Sequence, residues 1–244
     1  MEKHRVVSHA EWIEARKAFL AEEKEFTRAR DALSARRREL PWERVEKNYV
    51  FDGAAGKESL SDLFAGKSQL IVYHFMFGPD WDAGCKSCSF WADNFNGIAV
   101  HLAHRDVGFV AISRAPLPKL AAYEKRMGWS FKWLSSFGSH FNFDYFVSFT
   151  PDEMQNGTGF FNYERTKPPV DEMVGISVFA KNEQGEIFHT YSTYSRGVDM
   201  MNGAYHYLDL TPKGRDEDAL PFTQSWVRRH DEYEDKPKTS SCCA

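Results

Sequence analysis

Hydrophobic and polar positions divide the chain into two textures. Through the first forty residues an apolar side chain returns every seven positions, at Trp12, Phe19, Phe26, Leu33 and Leu40, until Pro41 stops the pattern. Ser8 followed three residues later by Glu11 makes a capping box ahead of this stripe, so the spacing predicts one long amphipathic helix. Ile13 and Leu20 widen the stripe, but the companion seam carries Ala15, Glu22, Ala29 and Arg36, too polar for an independent zipper. The stripe is expected to pack on its own domain or on the same helix of a homodimer mate. Arg36 to Arg38 read as a solvated helix face.

From Tyr49 onward short β-like runs alternate with helical patterns. Asn48–Gln69 offers a strand, a Gly-rich turn and a short helix. Leu70–Phe77, LIVYHFMF, is the unbroken apolar run of a strand buried on both faces. Ser89–Arg105 reads as helix and Val107–Ala115 as a second buried strand. Pro116–Trp129 opens with prolines suited to a first helical turn. Phe131–Gly138 reads as a strand, and His140–Thr150 fits either element. Gly175–Lys181 and Glu186–Ser195, joined by Asn-Glu-Gln-Gly, form a hairpin. The order β, α, β, α, β, hairpin implies an α/β fold whose sheet has a parallel core and an antiparallel edge. The expected organisation is an N-terminal helical extension over residues 1–48, a domain over 49–230, and a mobile polar tail over 231–244.

Composition narrows the function classes. With 31 Lys plus Arg against 35 Asp plus Glu, the formal charge of 31 − 35 = −4 gives no basic field for nucleic acid, so the expected partners exclude it. No window approaches the roughly 18 apolar residues of a membrane span, and the N-terminus has no apolar signal core. The chain is therefore read as cytoplasmic, with no membrane partner. Twenty Phe and seven Trp suit a packed globule. In a reducing compartment four cysteines are unlikely staples, which turns attention to Cys85-Lys86-Ser87-Cys88.

That C-x-x-C falls between a buried strand and a helical pattern, which puts Cys85 near a helix start. Exposed N–H groups there, with Lys86 adding positive charge, favour a thiolate. Cys85 is then the candidate nucleophile, and Cys88, one turn on and more buried, the resolving thiol. Trp81 and Asp82 are candidate supporting residues in the loop before it, and Asp80, Asp82 and His74 are candidate proton carriers. His189, Tyr191 and Arg196 are candidate substrate-binding residues.

Rival readings are weaker. Zinc would want a second C-x-x-C or His pair at ligand spacing, and His101 and His104 stand only three apart. The papain-like echo in CKSCSFW fails on context. A peroxidatic P-x-x-x-T-x-x-C would need Pro at Gly78 and Thr or Ser at Asp82. Cys242 and Cys243 sit on the tail with no expected role.

FMFGPDWDAGCKSCSFWADNFNG, Phe75–Gly97, and FHTYSTYSRGVDMMNGAYHYLDLTPKGRDE, Phe188–Glu217, closely resemble a bacterial thioredoxin-like family of unknown function. Its members are described as predicted dithiol-disulfide oxidoreductases. The leading Trp12–Trp42 segment resembles that family's first helix. The resemblance implies a thioredoxin-like fold, a central mixed sheet flanked by helices, with the long N-terminal helix added. It implies thiol-disulfide chemistry on a small-molecule or protein disulfide, with electrons from a cellular dithiol and no bound organic cofactor. Thioredoxins carry a proline just before the hairpin where this chain has Val174 and Gly175, which points to a narrower substrate. A soft-metal protein holding Cu(I) on the paired thiolates is the alternative, and a scaffold with a vestigial redox site is a third.

Overall fold

The structure is a computed structural model that describes residues 4–233. Contacts divide the chain at Trp42/Glu43 into two compact units. The first holds α1 (His9–Arg37), and its predicted capping box is formed: the Ser8 hydroxyl accepts from the Glu11 N–H, and the Glu11 carboxylate accepts from the Ser8 N–H. Ion pairs Arg16–Glu23 at 2.6 Å and Lys17–Glu14 at 2.8 Å run along its surface. No residue of α1 is buried, and Trp12 and Phe26 on the seven-residue stripe are 53% and 69% exposed.

The second unit begins with β1 (Glu43–Arg44), then β2 (Val50–Gly53), β3 (Gly56–Ser59), α2 (Leu60–Leu63) and β4 (Gln69–His74). The expected Gly-rich turn is thus the tip of a β2/β3 hairpin, a strand more than the sequence pattern suggested. α3 (Lys86–Ala92) and α4 (Ile98–Ala103) follow where one helix was expected; Gly97 separates them with φ +84°, a left-handed value that glycine adopts without steric cost. Then come β5 (Val107–Ser113), α5 (Leu117–Met127) and β6 (Lys132–Ser135). The ambiguous His140–Thr150 stretch resolves into the single turn of α6 (Phe141–Asp144) and an isolated bridge from Ser148 to Glu172. α7 (Pro151–Asn156) and the small hairpin β7 (Gly159–Phe161) and β8 (Glu164–Thr166) lead to β9 (Gly175–Lys181) and β10 (Ile187–Tyr194). A 3₁₀ turn, Ser195–Met201, and α8 (Gly203–Leu208) are the last elements among the described residues.

The main sheet runs β1-β10-β9-β4-β5-β6-β2-β3. β4, β5 and β6 are parallel, and antiparallel strands extend both sides, not one edge. Within it β10-β9-β4-β5, with α3 and α4 crossing from β4 to β5, is the thioredoxin-like arrangement: two parallel strands joined by a helical crossover, then an antiparallel hairpin on the other side of the first strand.

Because strand side chains alternate, β4 feeds two cores. Leu70 and Val72 enter one beneath Phe51, Phe64, Phe141 and Phe179; Tyr73, followed by Phe75 and Phe77, enters the other with Phe95, Trp129 and Trp133. The second core is closed by edge-on aromatic contacts, such as Tyr73 to Phe95 at 4.8 Å and Phe95 to Phe109 at 5.0 Å between centroids. The chain's last described residues are tied down: Arg126 pairs with Asp231 at 2.8 Å and Glu232 at 2.9 Å, so residues read as the start of a mobile tail are anchored. Cys242 and Cys243 lie outside the described residues.

Candidate functional site

After β4 the chain stays extended through Phe77, held by Phe75 N–H to Ile112 O at 2.9 Å and Ala115 N–H to Phe77 O at 2.8 Å. It then loops out and returns at Cys85, whose N–H donates to Met76 O at 3.0 Å. Two glycines permit this return. A Cβ on Gly78 would stand 2.9 Å from the Trp81 ring, and one on Gly84 would stand 2.7 Å from Phe75 Cε1. Trp81 Nε1 donates to Asp171 Oδ1 at 3.3 Å, and Lys119 Nζ donates to the Pro79 and Trp81 carbonyls at 2.8 and 3.0 Å. Trp81 is therefore part of the loop's frame, whereas Asp80, Asp82 and Lys86 point to solvent.

The far side of the loop is clamped by residues that no sequence spacing marks. Arg229 Nη2 donates to Gly84 O at 2.7 Å and its Nε to Tyr123 Oη at 2.6 Å; Tyr123 Oη also meets Ser89 Oγ at 2.9 Å, and Ser89 Oγ donates to Cys85 O at 2.9 Å. The Gly84 and Cys85 carbonyls thus have fixed partners.

Cys85 is the N-cap of α3 and partly exposed; Cys88 is 2% exposed, and both are free thiols. A hydrogen bond from the Cys88 thiol, helped by the Cys88 and Ser87 N–H groups and the Ser87 hydroxyl, lowers the Cys85 pKa to about 6 against the cost of burial. Burial, reinforced by the neighbouring Cys85 charge, pushes Cys88 well above the usual thiol range. The two sulfurs share one proton, which Cys88 keeps. Cys88 Sγ in turn accepts from Met76 N–H at 3.5 Å.

A cleft of about 230 Å³ opens over Cys88. Tyr73 and Cys88 line it, with apolar walls from Met76, Trp91 and Val174, and Ser195, Arg196, Val198 and Asp199 border it. Of the candidate substrate residues only Arg196 borders it; that side chain is 83% exposed and pairs with Asp199 at 3.0 Å. Val174 occupies the position before β9, as the sequence indicated. Ser195 sits at φ +49°, a left-handed value uncommon for serine, where β10 turns into the rim.

The structure does not bring His74 or His189 to the thiols. His74 leaves β4 on the face opposite Tyr73, stacked on Tyr145 and packed by Phe141. His189 is on that same far face, against Tyr145 and Phe179, because a bulge between His189 and Tyr191 resets the β10 register. The two are joined by a buried chain: His74 Nε2 to Ser177 Oγ at 2.8 Å, Ser177 Oγ to Ser192 Oγ at 2.8 Å, and Ser192 Oγ to His189 Nε2 at 2.7 Å. His189 Nδ1 reaches the exposed Glu43 at 3.5 Å. Burial pulls the His74 pKa down to about 3, so it is neutral. Tyr191 stands opposite Val178 on β9, outside the cleft lining.

Sequence reasoning missed Tyr73, Met76, Arg229 and a buried pair below Trp81. There Glu172, 1% exposed, accepts from Arg114 at 2.6 Å and from Ser148 Oγ at 2.8 Å, and burial raises its carboxyl to about 7 despite the arginine. Tyr73 was hidden inside an apolar run, where period-two alternation was the only signal that it shares a face with the thiols.

Among the described residues no group of three or more His, Cys, Asp and Glu side chains could hold a metal ion, and no helix is long and apolar enough to cross a membrane. Residues 1–233 match the family described as "Bacterial protein of unknown function (DUF899)", and the chain belongs to it. No curated protein matches the chain. Similar solved structures include a cysteine-to-serine variant of PrxQ from Xylella fastidiosa, at 11% identity and TM-score 0.44, covering 68% of this chain and 95% of that one. The peroxidoxin BcpB from Mycobacterium tuberculosis is 14% identical with TM-score 0.40, covering 66% and 93%. A protein of Chlorobium tepidum, named provisionally as a thiol:disulfide interchange protein DsbE, is 12% identical with TM-score 0.39, covering 69% and 94%.

Proposed function

We propose that the protein is a thiol-disulfide oxidoreductase in which Cys85 attacks a disulfide and Cys88 resolves the mixed disulfide. The observation that carries this reading is the division of labour between the sulfurs: Cys85 is accessible with a pKa near 6, and Cys88 is buried and keeps the shared proton. At cytosolic pH Cys85 is then mostly thiolate, the form that attacks sulfur. The substrate disulfide takes two electrons from the dithiol, leaving a Cys85–Cys88 disulfide and two substrate thiols. A cellular dithiol in the cytoplasm returns the electrons.

Gly78 and Asp82 stand where a peroxidatic motif would place Pro and Thr or Ser, which favours dithiol chemistry over peroxide reduction. The Cu(I) reading has the two thiolates as donors, and among the described residues no third His, Cys, Asp or Glu gathers with them. The test is reduction of bis(2-hydroxyethyl) disulfide with dithiothreitol as donor. Turnover is expected to vanish in Cys85→Ser, and Cys88→Ser is expected to hold a mixed disulfide detectable by mass. A parent protein that neither turns over nor takes up the label overturns the reading.

A further inference from the structure

The Tyr73 hydroxyl is buried with no well-aligned hydrogen bond, and the side chain it acts on is Cys88. Its ring is fixed from the side by Phe95 at 4.8 Å and Phe75 at 6.3 Å, so the hydroxyl cannot swing away to find one. Tyr73 and Cys88 line the same cleft, and the hydroxyl is close enough to act on the Cys88 sulfur. A second donor is already in place there, since Met76 N–H points at Cys88 Sγ from 3.5 Å. In the resting dithiol Cys88 is a protonated, poor acceptor, so neither donor has a charge to bind.

We propose that Tyr73 Oη–H and Met76 N–H form a preorganised pocket for the Cys88 thiolate that develops in the resolving step, and that Tyr73 is a catalytic residue of that step. The proposal rests on the exchange reading above. Once Cys85 is tied up in a mixed disulfide, its thiolate no longer accepts the Cys88 proton. That proton passes to water entering the cleft, and the Cys88 sulfur becomes an anion among aromatic rings. Tyr73 Oη–H and Met76 N–H donate to it there, which offsets the cost of a buried charge at the one moment it exists. Cys88 Sγ then attacks Cys85 Sγ, the Cys85–substrate S–S bond breaks, and the departing thiolate takes a proton from solvent. The electron pair of the new Cys85–Cys88 bond comes from Cys88. The hydroxyl's poorly aligned contact with the protonated Cys88 in the resting state is the counterpart of its role in the reactive one.

Tyr73→Phe removes the hydroxyl and keeps the ring. The reduced protein is mixed with bis(2-hydroxyethyl) disulfide, quenched with acid and weighed, which follows the mixed disulfide separately from the closed Cys85–Cys88 form. Tyr73→Phe is expected to accumulate the mixed disulfide, with resolution slowed by about 10²-fold, the scale of losing one donor to a developing anion. The pH midpoint of resolution should rise, while the pH midpoint of Cys85 alkylation by iodoacetamide and the melting temperature should not fall. Resolution at the parent rate overturns the proposal. So does an equal slowing of adduct formation and resolution accompanied by a lower melting temperature, which would make the hydroxyl a packing group. A parent protein that forms the adduct and never closes it removes the exchange reading itself, and the Tyr73 role with it.

Discussion

Tyr73 and His74 are neighbours on β4, and the two faces of the sheet treat them differently. Tyr73 enters the cysteine face with a hydroxyl that lacks a well-aligned hydrogen bond beside a thiol that is held protonated. His74 enters the far face at the head of a polar chain, Ser177, Ser192 and His189, in which each link is 2.7–2.8 Å. One face leaves polar capacity open next to reactive sulfur; the other satisfies nearly all of it, leaving only His74 Nδ1 without a partner. Each neighbour leaves one buried polar atom without a well-aligned partner, Tyr73 Oη beside reactive sulfur and His74 Nδ1 among aromatic rings, so the faces differ in the chemistry beside that atom.

The largest expected effect that separates the faces is catalytic. Cys88→Ser should abolish multiple turnover of a small disulfide, while His189→Ala should leave turnover within about twofold; a His189→Ala protein with no turnover breaks the separation. The next is acid stability. His74 has a folded pKa of about 3, below its unfolded value near 6.5, so its contribution is complete above about pH 6.5 and is lost as pH falls toward 3. Denaturant unfolding across that window should show stability dropping by a few kcal/mol, with the slope flattened in His74→Phe. A smaller effect is the cost of cutting the far chain: Ser177→Ala strands its two partners and should destabilise by about 1–3 kcal/mol with unchanged turnover, as measured by urea unfolding.

Two smaller shifts sharpen the cysteine face. Cys85 alkylation should show a midpoint near pH 6 that moves upward in Cys88→Ser, because the Cys88 thiol is the largest cause of the lowering and a serine hydroxyl restores it only in part. Glu172 works with the opposite sign to His74. Its folded pKa of about 7 lies above the unfolded value, so its stabilisation is present below about pH 4.5 and lost as pH rises through 7. Glu172→Gln should flatten that decline in a stability profile.

Much of the frame was readable in the sequence. The apolar run Leu70–Phe77 marked the central strand, Gly78-Pro79 the loop, and C-x-x-C the helix start. Ser8 and Glu11 gave the capping box by spacing alone, since a cap is satisfied within one turn of chain. The helix after Cys88 was overextended because a left-handed Gly97 interrupts a periodic pattern without changing its composition. The α1 stripe showed which face is apolar and not what covers it.

Apart from Arg196, which borders the cleft, the candidate site was legible only where its residues are close in sequence. Cys85 and Cys88 were found from spacing. His189, by contrast, was assigned to the substrate, and the bulge in β10 places it across the sheet; a one-residue change of register moves a side chain to the opposite face, and no local pattern announces it. Arg229, 145 residues after Gly84, clamps that carbonyl through contacts that only folding creates.

The sequence by itself determined the α/β order, the strand-loop-helix placement of the two thiols and the cap of α1, because each depends on interactions within a few residues. Tertiary structure decided how completely Cys88 is buried, which face each histidine occupies, and that Tyr73 meets Cys88. Those outcomes follow from burial and from contacts between distant strands, which set the local dielectric and the available donors, and neither quantity is a property of a short segment.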